Sequence, residues 1–101
     1  MPRLPKSTDA RLLAAIPRMQ PWKADAAERL WSLREAGRQM LVFAGASSEI
    51  DLGGETGAFR IMTVDAKTGE LKPRHESVRG GGLMKLPFGN RGVNIIWLTR
   101  E

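Results

Sequence analysis

The sequence predicts an α+β domain in two layers, with two N-terminal helices packed on a four- to five-stranded, mainly antiparallel sheet. Three observations lead there. The first third of the chain is rich in helix formers, with its apolar residues clustered at helical spacing. From residue 38 onward the apolar runs become short, alternating or continuous, and glycine-rich stretches separate them. Helical segments followed by strands, rather than alternating with them, are the order of an α+β fold.

Residues 1–7, MPRLPKS, hold two prolines and two bases and predict a loose arm, which leaves residues 8–101 as a single domain. STDARLLAAIP predicts a short helix capped by Ser7 or Thr8. Asp9 falls in its first turn, Leu12, Leu13 and Ile16 form its apolar stripe, and Pro17 ends it. PWKADAAERLWSLREAG predicts the main helix. Pro21 stands at a position the first turn tolerates, Ala27, Leu30, Trp31 and Leu33 lie on one side, and Gly37 suits the left-handed C-terminal cap. Trp22 is placed to staple the start of that helix.

QMLVFAG reads as a buried strand, and Glu49–Leu52 as a short strand within a loop. AFRIMTV and ELKPRHESV read as a hairpin joined by DAKTGE, with a type I turn over Asp65–Thr68 followed by Gly69 at positive φ. Pro73 cannot donate to a ladder, so its strand belongs at an edge or at a bulge. LMKLP reads as another short strand and FGNRG as a turn. VNIIWLT is apolar on both faces and predicts a central, covered last strand. The predicted core, one for a chain this size, is Leu30, Trp31, Leu33, Val42, Phe43, Phe59, Ile61, Ile95 and Trp97.

Sixteen basic and eleven acidic side chains give a net charge of +5. Residues 1–38 and 58–101 are each basic, eight against four, while 39–57 hold Glu49, Asp51 and Glu55 with no base. Such a surface attracts polyanions. The absence of cysteine excludes disulfides, thiolate metal sites and thiol nucleophiles, and fits a reducing cytoplasm. No apolar run reaches the ~18 residues of a membrane span. No metal site or cofactor is expected, because the three acids of residues 49–55 fall short of a calcium loop's ligand set.

RHESVRGGG, residues 74–82, holds the single histidine, and its three glycines read as a flexible reversal between strands. Strand alternation puts Leu71, Pro73, His75 and Ser77 on one face and Lys72, Arg74, Glu76 and Val78 on the other. His75 and Glu76 then point apart and form no local acid–base pair. The candidate ligand surface is therefore cationic: Lys72, Arg74, His75, Arg79, Lys85 and Arg91, on the basic strand and around the glycine loop. Phe88, near Lys85 and Arg91, is a turn aromatic able to stack on a base.

These residues point to a small, non-catalytic module that contacts the nucleic-acid backbone. A protein–protein interaction module, either an inhibitor, an adaptor or an accessory factor, is the alternative, with the proline-marked edge and the acidic loop as its contact features. A third reading is a small endoribonuclease. Helices followed by an antiparallel sheet with His, Glu and Arg resemble the layout of barnase-type microbial ribonucleases. No motif of that family occurs in the chain, so no residue roles carry over. The protein is expected to be a monomer or weak dimer.

Overall fold

The computed structural model describes residues 6–25, 30–44, 49–53, 55–65, 67–85 and 94–101, with the backbone alone at 23, 25, 49, 50, 75, 76, 83–85 and 94. Among the described residues the chain forms one short helix, α1 (Ala10–Ala15), a 3-10 turn (Ile16–Arg18) and eight strands. These are β1 (Gln20–Asp25), β2 (Leu30–Glu35), β3 (Gln39–Ala44), β4 (Glu49–Asp51), β5 (Ala58–Val64), β6 (Leu71–Arg79), β7 (Leu83–Lys85) and β8 (Asn94–Arg100). Six of them make an antiparallel sheet in the order β1-β2-β3-β8-β5-β6, and β4 pairs separately with β7.

This overturns the α+β expectation of two helices on four or five strands, because the segment predicted as the main helix is a β-hairpin. The reason lies in β3. All six of its residues are buried, so it needs a ladder partner on each side for its backbone N–H and C=O groups. β8 supplies one side, and β2, joined to β3 by a tight turn, supplies the other. A helix lying on the sheet would have left that edge unpaired. Intrinsic preference is worth only a few tenths of a kcal/mol per residue and yields to this demand. Gly37 does adopt the left-handed conformation, at φ 76, but in the β2–β3 turn, where Arg38 N–H donates to Glu35 C=O at 2.9 Å.

The sheet is covered on both faces, so the expected single core is two. Met40, Val42, Ala44, Phe59, Ile61, Ile96 and Leu98 form one cluster, covered by Leu52 from the loop after β4, with Trp22, Leu30 and Val78 packed against it. Leu33, Leu41, Phe43, Val64, Ile95 and Trp97 form the other, covered by Leu12 of α1 and Met19. Strict alternation along β3 and β8 delivers neighbouring residues to opposite clusters, as the continuous apolarity of both strands required. Leu30 and Trp31, expected in the core, pack on opposite clusters but are only partly buried.

The start of the chain also differs in detail. Asp9, not Ser7 or Thr8, caps α1, accepting from Arg11 N–H at 2.9 Å. Ser7 instead donates to Thr68 C=O at 2.6 Å, and Thr8 is buried against the β5–β6 turn. In that turn Gly69 has the expected positive φ, 75, and the Asp65 carboxylate accepts from the N–H groups of Lys67 and Thr68.

Candidate functional site: an arginine end and a polar cleft

Both outer strands of the sheet are built to resist pairing. β6 is an edge, as Pro73 predicted, and it is also bulged. Met62 pairs with Pro73 and Arg60 with Ser77, so Arg74, His75 and Glu76 stand against Ile61 alone. β1, the other edge, carries Pro21 and a smaller bulge in which Trp22 and Lys23 oppose Ser32. Proline and bulges on edge strands block strand addition by another chain. Residues 74–76, the RHE of RHESVRGGG, are thus the bulge of an edge strand.

The three glycines that follow it, expected as a slack loop, are hydrogen-bonded to a neighbouring loop, and Gly80 packs against it. Gly80 N–H donates to Gly57 C=O, Gly81 N–H to Leu52 C=O, and Leu52 N–H to Gly82 C=O, at 2.8–3.0 Å. A Cβ on Gly80 would lie 2.6 Å from the carbonyl oxygen of Glu55. The segment after the bulge is therefore stitched onto the loop of residues 52–57. That loop is not merely solvated acid either. Glu55 is buried, accepting from Arg34 Nη1 at 3.2 Å and from Gly37 N–H at 3.1 Å. The Asp51 carboxylate accepts from Gly53 N–H.

Of the sequence-derived cations, those with described side chains are spread along β6. Lys72 and Arg79 are exposed at opposite ends of β6, and Arg74 is half-buried within the bulge. His75 lies in the same bulge and Lys85 ends β7, both with side chains outside the described set. Arg91 and Phe88 lie outside the described residues. Lys72 sits near the β5–β6 turn, where it and Lys67 add to the lowering of the Asp65 pKa, set first by the backbone N–H groups of Lys67 and Thr68.

A different set does converge. Arg38 lies in the β2–β3 turn, Arg100 ends β8, Arg60 is near the start of β5 and Arg79 ends β6. β3, β8, β5 and β6 are consecutive in the sheet, so four exposed arginines line one of its ends. Arg38 C=O accepts from Arg100 N–H at 2.9 Å, Arg60 pairs with Thr99 and Ser77, and Arg79 pairs with Ala58. The Arg100 guanidinium donates to Gly37 C=O at 3.2 Å. Glu101, whose N–H donates to the Ala58 carbonyl, forms no ion pair with any of the four. Glu55 is engaged by Arg34. Arg38, Arg60 and Arg100 were missed because they are far apart in sequence and belong to a turn and two strands.

At the opposite edge a cleft of about 300 Å³ opens beside β1, lined by Arg18, Gln20, Pro21, Trp22, Arg34, Glu35 and Ala36. The guanidinium of Arg34 lies over the Trp22 ring at 5.1 Å from its centroid. A buried chain ends at the same cleft: Trp97 Nε1–H donates to Gln39 Oε1, and Gln39 Nε2–H to Glu35 Oε1, each at 2.9 Å.

No protein-family model matches this chain, and no curated protein matches it.

Proposed function

We propose that the protein is a non-catalytic module that binds the phosphate backbone of nucleic acid through the arginine end of its sheet. One observation carries this reading: Arg38, Arg60, Arg79 and Arg100 are exposed at one end of the sheet, and among the described residues no carboxylate is paired to any of them. Four arginines at one end of the sheet raise the positive potential there, and a polyanion lowers it. Guanidinium forks match phosphate oxygens two at a time, so arginine suits this task better than lysine. Across β3 to β6 there are three inter-strand gaps of ~4.8 Å, which span roughly 14 Å. That covers about four nucleotides of a B-form strand at ~3.4 Å each. The bulged, proline-marked edges favour contact through side chains over strand addition.

Fluorescence anisotropy of labelled single-stranded RNA and duplex DNA, read across a salt series, tests this. Binding should weaken with salt with a log–log slope of about −3 to −4 on duplex, as four phosphate contacts predict. Arg60→Ala and Arg79→Ala should each reduce the slope by about 1, and Lys67→Ala, at the other end of β5, should leave it unchanged. Absence of binding at low salt would remove the reading.

A further inference from the structure

The cleft beside β1 is continuous with the arginine end. The two share the β2–β3 turn: Ala36 lines the cleft, and Glu35 C=O accepts from Arg38 N–H at 2.9 Å. Hydrogen bonds also join them. Glu55 accepts from Arg34 Nη1 and from Gly37 N–H, and Gly37 C=O accepts from the Arg100 guanidinium. β2 and β8 are two places apart in the sheet, roughly 10 Å, so one extended run of nucleotides reaches from Arg100 to Arg34.

Register gathers three planar side chains where β1 and β2 meet the cleft. Gln20 pairs with Arg34 across the hairpin, so both side chains emerge on one face. Trp22 is on that face too. Its ring packs against the cluster of Met40 and Val42 and lies under the Arg34 guanidinium, 5.1 Å from the ring centroid. Glu35, the next residue, turns to the other face, where Gln39 donates to it, and takes no part. Arg34 is ordered before any ligand arrives, because Glu55 takes one of its N–H groups and Trp22 supports its plane. Its side chain is still 31% exposed and lines the cleft. A side chain already ordered by its own partners loses little freedom when a ligand binds.

We propose, resting on the phosphate reading of the arginine end, that the nucleic acid bound there is a single strand and that one of its unpaired bases docks in this cleft. The base stacks on the Arg34 guanidinium, with Trp22 beneath, and its polar edge meets Gln20. Arg18, exposed at the same cleft, meets the adjoining phosphate. Guanidinium planes and aromatic rings hold unstacked bases in this way, and they tolerate any sequence because every base has a π-face. Within a duplex each base has its faces covered by its neighbours and its pairing edge occupied, so a duplex offers the cleft nothing. The volume agrees: 300 Å³ holds the equivalent of about ten water molecules at ~30 Å³ each, room for one base.

The test is a titration of the full chain at low salt with three probes: oligothymidylate of about eight nucleotides, the same strand lacking its bases, and a G·C-rich duplex. Affinity is read by anisotropy of the labelled probe, and base docking by the Trp22 indole signal of ¹⁵N-labelled protein. Oligothymidylate should bind about tenfold more tightly than the abasic strand and shift the Trp22 signal to saturation. The abasic strand and the duplex should bind through the arginines and leave that signal in place. Arg34→Lys keeps a cation beside Glu55 but loses the plane, and should bring oligothymidylate down to the affinity of the abasic strand. Gln20→Ala, at an exposed position outside both core clusters, decides the matter where Arg34→Lys fails to fold. It should weaken oligothymidylate about threefold. Equal affinity for oligothymidylate and the abasic strand, or a Trp22 signal that moves as far with duplex, would overturn the base site and leave the arginine end as a backbone-only surface. Failure of all three probes to bind would remove the phosphate reading itself, and this one with it.

Discussion

At the residue scale, two glycines and two aspartates set conditions no other side chain meets. Gly69 has φ 75, and a Cβ there would lie 2.3 Å from Thr8 Cα. Gly69→Ala is therefore expected to cost at least about 2 kcal/mol, from left-handed strain and displacement of Thr8 together. Urea unfolding of the variant checks it. Gly80→Ala should be comparably harmful, because the atom in the way is the backbone of Glu55. Asp65 accepts from two backbone N–H groups, and Asp9 accepts from the Arg11 guanidinium and N–H, so both carboxyls are held below their usual range. A carboxyl lowered in the folded state adds stability above its unfolded pKa and loses it as pH falls through the folded value. Acidification should thus erode the β5–β6 turn and the α1 cap. Asp65→Asn should flatten that pH dependence below pH ~4, as read from thermal midpoints.

At the scale of elements, the hairpin β1–β2 and the edge strand β6 show how local signals were read. Gly37 was legible as a left-handed residue, but a helix cap and a hairpin turn use the same conformation, and nothing near it decides between them. Pro73 was legible as an edge marker because a missing donor has one meaning in a sheet. The length of the bulge beside it was not, because register depends on Arg60 and Met62 of the partner strand. The edge devices have a measurable purpose. Replacing Pro73 with Val and deleting two of the three bulge residues regularises β6 and should promote self-association, visible as concentration-dependent elution in size-exclusion chromatography. Glu55 joins elements that the sequence keeps apart. Glu55→Ala leaves Arg34 and Gly37 N–H without their acceptor and should cost about 1–3 kcal/mol, less than a fully buried pair because Arg34 reaches solvent.

For the molecule as a whole, β8 is the joint. The meander β1–β3 and the hairpin β5–β6 have no ladder between them except through β8. Truncation before Asn94 should abolish the cooperative unfolding transition, because β3 and β5 would each lose a partner and both clusters would lose their central residues. The molecule measures 32 × 29 × 26 Å, so an arginine row of roughly 14 Å occupies about half of one side. That concentration of charge should cost stability. Arg60→Gln with Arg79→Gln is expected to raise the thermal midpoint at low ionic strength by a degree or more while weakening nucleic-acid binding, a trade that scanning calorimetry can detect. No helix among the described residues is long and apolar enough to cross a membrane.

By itself the sequence determined what is local: the helix over residues 10–15, the β5–β6 turn with its left-handed Gly69, the edge position of Pro73 and the covered, central last strand. Each rests on a dihedral, a donor count or a two-residue period that the chain carries wherever it folds. Only the tertiary structure decided that residues 20–25 and 30–35 pair as strands, because the demand came from the unpaired edge of β3. Only it brought Arg38, Arg60, Arg79 and Arg100 to one end of the sheet. Those arrangements depend on strand order, and strand order is fixed by long-range pairing that no neighbouring residue encodes.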